Sequence, residues 1–221
     1  MDLLEELRWK WFVKLSGIKP TGVIYVGAHL GENIPGFLLA GFSRILAIEP
    51  DPTDYAILSE YASRRIVCEN VALASQSGSA TFYRVAGASA LNSLRRPDTE
   101  YWTRLMGAEA VRQHPVSETT VATTTLDALL ARHGPGYGVL YMNAQGAELD
   151  VLRGAASSIA SLQAIVTEVN FEARYQGAPL ADEVAAFVAG LGFRQLLLES
   201  YANSRGGRCG EAWFVRDPRT T

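Results

Sequence analysis

Short apolar runs alternate with longer stretches of helical period along most of this chain. Gly22–Val26, Arg44–Ile48, 66–71, Val139–Met142 and 164–169 are almost continuously apolar. That is the pattern of parallel strands covered on both faces. Helical periodicity fills the gaps at about 32–40, 52–63, 126–132 and 147–159,. Two helix starts are marked. Asp51-Pro52-Thr53-Asp54 supplies an N-cap, a proline in the first turn and an acid behind it,. Thr124-Thr125-Leu126-Asp127 is a capping box with Asp in place of Glu,. Near the end, 193–198 and 211–215 read as two further strands joined by a polar turn at 203–208. A terminal hairpin of this kind adds one antiparallel strand and makes the sheet mixed.

Before the first strand, Leu3, Leu4, Leu7, Trp11, Phe12 and Leu15 recur at helical spacing until Gly17-Ile18-Lys19-Pro20 breaks the pattern,. This predicts an amphipathic helix within residues 1–20. Its tryptophans, Trp9 and Trp11, are expected on the surface, where the helix either packs on the domain or joins two copies in a homodimer. Residues 21–216 read as one domain, and 217–221 as a frayed tail. The stretch 86–118 has no sustained period, yet it carries Arg95, Arg96, Tyr101, Trp102, Met106 and His114. Long unpatterned insertions in compact domains are usually lids or disordered loops. Its aromatics favour a lid or an extra helix.

Composition narrows the function class. With 221 residues, 48% hydrophobic and 19% charged, the chain has enough apolar material for one α/β domain,. A net charge of −3 argues against a nucleic-acid partner, whose phosphates would need a basic face,. No apolar run approaches the roughly 18 residues of a membrane span. Glu5, Glu6, Arg8, Lys10 and Lys14 interrupt the opening apolar pattern, unlike a signal peptide,. Cytoplasmic residence is therefore expected. Cys68 and Cys209 are too few for a disulfide framework, and His29, His114 and His133 lack metal-ligand spacing, so no metal is expected,.

The strongest chemical signal lies after the first strand, in Val26-Gly27-Ala28-His29-Leu30-Gly31-Glu32. Glycines here allow a sharp turn and close approach of a ligand. The following helix points free N–H groups into the same crevice. The second strand ends in Ile48-Glu49-Pro50-Asp51, with Glu49 twenty-two residues after Gly27. A carboxylate at that place can accept from both ribose hydroxyls. The glycine spacing is Gly-x-x-x-Gly and lacks the Gly-x-Gly-x-x-Gly series that seats a pyrophosphate. A mononucleoside cofactor fits better than a dinucleotide, and S-adenosylmethionine is the candidate.

Further blocks make the pattern specific. Asn70-Val71-Ala72-Leu73 and Thr125-Leu126-Asp127 are followed by Gln145-Gly146-Ala147-Glu148-Leu149-Asp150-Val151-Leu152-Arg153-Gly154-Ala155 and Thr167-Glu168-Val169-Asn170. In this order the chain, from about Gly22 to Val215, resembles the FkbM-type methyltransferases. The resemblance implies a Rossmann-like class I methyltransferase fold, with a mixed seven-stranded sheet, helices on both faces and an antiparallel C-terminal strand. It also implies O-methylation of a small hydroxylated metabolite such as a sugar or polyketide, N-methylation needing the same cofactor geometry. By the same resemblance Gly27, Ala28 and Gly31 would line the methionine half of the cofactor, and Glu49 would hold the ribose. Pro50 or Asp51 would border the adenine, with Val71 and Ala72 at its edge. Asn143 would face the sulfonium and the acceptor, with Gln145 and Gly146 shaping the turn. Tyr25 and Asn143 depart from the family pattern, which often has acids there. A catalytically silent scaffold that binds cofactor or a partner is the alternative those departures favour.

Several side chains compete for roles at the acceptor end. Glu168 and Asn170 straddle the end of the fifth strand, where open α/β sheets bind ligands,. Glu168 is the candidate base, or else a helix cap or arginine partner. His29 is a second catalytic candidate, or a loop imidazole satisfying the backbone. Glu148 could bind acceptor, although a carboxylate in a first helical turn is favoured by the dipole alone. Tyr175 and Trp102 could contact an acceptor or simply pack their loops.

Overall fold

The computed structural model describes residues 3–202 and 208–220. Helix α1 (Leu3–Ser16) precedes β1 (Gly22–Val26), α2 (Ile34–Leu39), β2 (Arg44–Ile48), α3 (Pro52–Leu58) and β3 (Ile66–Glu69). The chain continues through β4 (Ala72–Leu73), β5 (Gly78–Val85), α4 (Thr99–Met106), α5 (Ala108–Gln113) and β6 (Val116–Thr124). It then forms α6 (Leu126–His133), β7 (Val139–Met142), α7 (Glu148–Arg153), β8 (Ala164–Asn170), α8 (Ala181–Gly190), β9 (Phe193–Ala202) and β10 (Arg208–Arg216). Seven strands make the main sheet in the order β3-β2-β1-β7-β8-β10-β9. Strand β10 runs antiparallel to both neighbours, and the pairs from β3 to β8 are parallel. The expected mixed sheet is present. Of the expected 203–208 turn, 203–207 lie outside the described residues, while Arg208 already belongs to β10.

Side chains alternate between two cores because successive strand residues point to opposite faces. Ile24, Leu46, Leu140 and Ile165 pack with Leu129 of α6, Val151 of α7 and Val188 of α8. On the other face Val23, Ile45, Tyr141 and Trp213 pack with Trp9 and Phe12 of α1, Phe37 of α2 and Leu58 of α3. Helix α1 thus sits on the domain. Its buried stripe keeps the predicted Phe12 but also takes in Trp9, a residue expected on the surface. Trp9 is 1% exposed, with its ring 4.5 Å from Phe37 and 4.9 Å from Tyr141, whereas Trp11 and Leu15 stay exposed. Trp9, Phe12 and Val13 follow the i, i+3, i+4 rule, which places Trp11 on the opposite side.

Other elements end earlier than the period suggests. The 66–71 run stops at Glu69, because Asn70 turns its amide back to the carbonyls of Glu49 and Pro50. The 147–159 helix stops at Arg153, since Gly154 packs on the Ala74 carbonyl, where a Cβ would stand 2.3 Å away. The predicted frayed tail is instead a single turn, Pro218–Thr220, in which Arg219 pairs with Asp217 at 2.7 Å.

A second sheet, β4-β6-β5, has no counterpart in the sequence reading. Its long strands are mostly exposed and rich in Ser and Thr, burying little besides Phe82, Val85, Val121 and Thr123. No apolar alternation marks such strands. The 86–118 insertion holds α4, α5 and a turn at Ser89–Leu91 rather than one added helix. Tyr101, Trp102 and Leu105 form its small core.

Candidate cofactor and acceptor site

The C-terminal ends of β1, β2 and β7 open into a cavity of about 290 Å³, lined among others by Gly27, His29, Glu49, Pro50, Asn143 and Gln145. Gly27 adopts φ 68, and a Cβ there would stand 2.0 Å from the Asn143 carbonyl. Close approach of the two loops therefore requires glycine, whatever else binds beside it. The Gly27 and Ala28 N–H groups both donate to the Ile48 carbonyl at 3.0 Å. Ala28 and Gly31 lie beneath the cavity wall, Ala28 in the core and Gly31 against the Tyr61 ring.

Glu49 is buried, and each carboxylate oxygen accepts one backbone N–H: Oε2 from His29 and Oε1 from Asp51, both at 2.8 Å. A carboxylate offers about four lone-pair sites, so one remains on each oxygen for a ligand hydroxyl. Burial pushes the Glu49 carboxyl up to about 7, against the pull of the two N–H donors,. Next to it Asp51, fully buried, caps α3 through the Thr53 N–H and takes Arg84 Nε at 2.7 Å and Asn92 Nδ2 at 2.9 Å. His29 hydrogen-bonds Glu32 through Nδ1 at 2.6 Å and Ser89 Oγ through Nε2 at 2.8 Å. The Glu32 bond holds the imidazole pKa above its ordinary value.

Asn92 and Ser89 belong to a strap over the cavity. Ser89, Ala90, Asn92, Ser93 and Leu94 all line it, and Ser93 Oγ donates to the Gln145 carbonyl at 2.7 Å. Val71, Ala72, Leu73 and Phe82 form the apolar wall below the strap. The strap residues were not legible in the sequence, because no motif marks them. Their partners Asp51 and Gln145 lie 41 and 52 positions away.

At the opposite end Tyr25 and Tyr141 stack on adjacent strands at 5.2 Å. Tyr25 accepts from Asn33 Nδ2 at 3.1 Å, and Asn33 Oδ1 in turn accepts from Trp9 Nε1 at 3.0 Å. Burial holds both phenols well above their ordinary pKa. Gln145, at φ 50, is the hub here. Its Nε2 donates to Asn143 Oδ1 at 2.5 Å and to Glu168 Oε2 at 3.2 Å, while Tyr175 donates to its Oε1 at 2.7 Å.

Glu168 does not line the cavity. It stands behind Gln145 with its other oxygen 2.6 Å from Arg174 Nη1. Burial raises its pKa, and the Arg174 guanidinium opposes that rise. Asn170 accepts from the same Arg174 nitrogen at 3.2 Å. Glu148 Oε1 turns into its own loop, taking the Ala144 and Gly146 N–H groups at 3.1 Å. Burial pushes it up to about 7. Trp102 lies outside the cavity, with its Nε1 on the Arg174 carbonyl and the Arg174 guanidinium over its ring. Glu148, Asn170, Tyr175 and Trp102 therefore support the wall rather than form it. Among the described residues no cluster of three or more His, Cys, Asp or Glu side chains could hold a metal.

Residues 26–195 match the methyltransferase FkbM domain. The chain belongs to this family. Methyltransferases of this family use S-adenosylmethionine, and the buried Glu49 carboxylate with its two spare lone-pair sites suits the ribose of that cofactor,. No curated protein sequence matches the chain. Solved structures share the fold at low identity. Magnesium protoporphyrin IX methyltransferase from Synechocystis PCC 6803 with bound SAM superposes with a TM-score of 0.54 at 8% identity, covering 97% of this chain and 78% of that one. An O-methyltransferase from Bacillus cereus in complex with SAH gives 0.53 at 8%, covering 98% and 82%. The 1,6-didemethyltoxoflavin-N1-methyltransferase from Burkholderia thailandensis gives 0.51 at 12%, covering 98% and 80%. This FkbM methyltransferase thus shares its fold with enzymes named for O- and for N-methylation. No described helix is long and apolar enough to cross a membrane.

Proposed function

We propose that this FkbM methyltransferase transfers a methyl group to a hydroxyl oxygen of a small metabolite. The observation that supports this most is the continuous cavity, about 290 Å³, that runs from Glu49 to Asn143 beneath the Ser89–Leu94 strap. That volume lies at the lower end of ligand sites, so with the cofactor in place only a small group of the acceptor enters it. When bound, the cofactor supplies a methyl on a sulfonium, which is an activated leaving group. Glu49 would hold the ribose, and Gly27 the amino-acid half. Val71, Ala72 and Pro50 would flank the adenine. Asn143 and the two tyrosines would face the reacting end.

The chain's main contribution is then position. Near-attack alignment of donor and acceptor lowers a barrier by several kcal/mol without any acid or base. Gln145 fixes Asn143, and Glu168 fixes Gln145, so Glu168 acts as a positioning residue. His29 lies at the ribose end, tied to Ser89 and Glu32, and serves the strap. The test is incubation with S-adenosylmethionine and a panel of small hydroxylated and aminated compounds, read by mass spectrometry. One added CH₂ on hydroxylated members is expected. Transfer to amines alone, or to none of the panel, contradicts the proposal.

A further inference from the structure

The orientation of the Asn143 amide follows from the charged end of its network. Arg174 keeps a permanent cation 2.6 Å from Glu168,, so the Glu168 oxygen facing Gln145 is an acceptor. Gln145 must present Nε2 to it, because its own carbonyl oxygen there would meet an anion. Oε1 then faces Tyr175, whose hydroxyl donates to it at 2.7 Å and lies 3.1 Å from the Leu91 carbonyl. The second Nε2 hydrogen goes to position 143 at 2.5 Å, and the atom receiving it is Oδ1. Asn143 therefore spends its oxygen inside the protein and turns its NH₂ group to the cavity it lines. Its Nδ2 is not among the buried nitrogens left without a partner, as befits a group facing the cavity.

The neighbouring groups reinforce this polarity. Tyr25 already accepts from Asn33, which leaves its own hydroxyl hydrogen free. Of the side chains lining the cavity, Tyr25, Tyr141, Asn143 and Gln145 carry no ionised base. His29 and Glu32 are paired with each other at 2.6 Å, and Glu49 takes two backbone N–H groups. This end thus offers donors, and the cavity's ionisable groups are engaged with each other, with Ser89 or with backbone. An alcohol of ordinary acidity would find no unengaged base to take its proton.

From this we infer that the methyl acceptor is an acidic oxygen compound, a phenol or an enol, bound as its anion with the Asn143 amide donating to the oxygen. The inference rests on the methyltransferase reading above and names the acceptor class within it. The acceptor hydroxyl releases its proton to solvent before transfer. Its oxygen then forms the O–CH₃ bond as the CH₃–S bond breaks, and the electron pair of that bond returns to sulfur. Asn143 thus presents a donor, not an acceptor, to the reacting oxygen.

The test uses the full chain saturated with S-adenosylhomocysteine and 4-nitrophenol as the probe, whose phenolate absorbs visibly. Calorimetry first establishes that S-adenosylhomocysteine binds the wild type, Asn143→Asp and Asn143→Ala. Bound 4-nitrophenol is then expected to ionise about one pH unit below the free compound, meaning about tenfold preference for the anion. Asn143→Asp should abolish or reverse that shift. Asn143→Ala adds no charge and should abolish it too. If S-adenosylhomocysteine binds but the wild type gives no shift, or the shift survives in Asn143→Ala, the acceptor inference is overturned. If S-adenosylhomocysteine fails to bind the wild type, the underlying methyltransferase reading fails and the inference falls with it.

Discussion

At the Glu49 end of the cavity the polar groups are fixed by backbone, and at the Asn143 end by side chains. Glu49 receives two N–H groups from loops within about twenty residues of it. Asn143 depends on Gln145, which depends on Glu168 and Tyr175, and through them on Arg174. Backbone donors are set by the strand–loop–helix turn itself and tolerate change in their own side chains. A side-chain relay fails when one member is lost, because a buried group is then left unsatisfied. The first end therefore suits a constant ligand, and the second a specificity that can vary.

Removing the carboxylate should have the largest effect. Glu49→Ala deletes the acceptor for a ligand's hydroxyls, each charge-assisted bond contributing about 1.5–3 kcal/mol. Affinity for S-adenosylhomocysteine should fall roughly 100-fold or more by calorimetry. Gln145→Ala probes the other end. Methyl transfer to an acceptor found in the panel should slow by about 10- to 100-fold through lost alignment. S-adenosylhomocysteine affinity should change less than about threefold. Equal losses in both measurements would erase the division between the two ends.

Asn92→Ala should have a smaller effect, since Asp51 keeps Arg84 and the Thr53 N–H. Affinity should weaken by about fivefold, the size of one hydrogen bond, and proteolysis within 86–98 should quicken. Trp102→Phe is the smallest expected change. It leaves the ring stacked under Arg174, and S-adenosylhomocysteine affinity should stay within about twofold, the ordinary range for a change away from the cavity.

The same contrast explains what the sequence disclosed. The parallel strands, the Glu49 carboxylate and the Asp51 cap were readable because each is a local pattern: an apolar run, a spacing, a capping residue. Asn143 and Gln145 could be placed beside the cofactor only through family resemblance. The amide orientation that gives Asn143 its chemistry depends on Arg174 and Tyr175, about thirty residues later. The strap was hidden for a different reason. Strands β5 and β6 are solvated Ser- and Thr-rich ribbons, and Ser89, Asn92 and Ser93 show no motif until Asp51 and Gln145 meet them in space. Trp9 reads as a surface residue because Leu3, Leu7, Trp11 and Leu15 form a second, equally periodic stripe, yet it is buried.

The account turns on Glu49 as the ionised acceptor of the ribose hydroxyls, and wild-type protein tests it directly. The Glu49 pKa is raised from 4.5 to about 7 before ligand binds. A proton on it removes an acceptor, so binding should be full above that pH and be lost as the pH falls through it. The fold without ligand responds in the opposite sense. Burying this carboxylate costs stability as the pH rises from 4.5 through about 7,, which S-adenosylhomocysteine should offset. His29 and Asp54 face Glu49 with opposite charges, and Glu49→Ala separates their titration from its own. The measurement is calorimetric titration with S-adenosylhomocysteine at pH 6 and pH 8. Affinity about tenfold weaker at pH 6, with that difference lost in Glu49→Ala, is the predicted result. No binding, or equal affinity at the two values in the wild type, would contradict it.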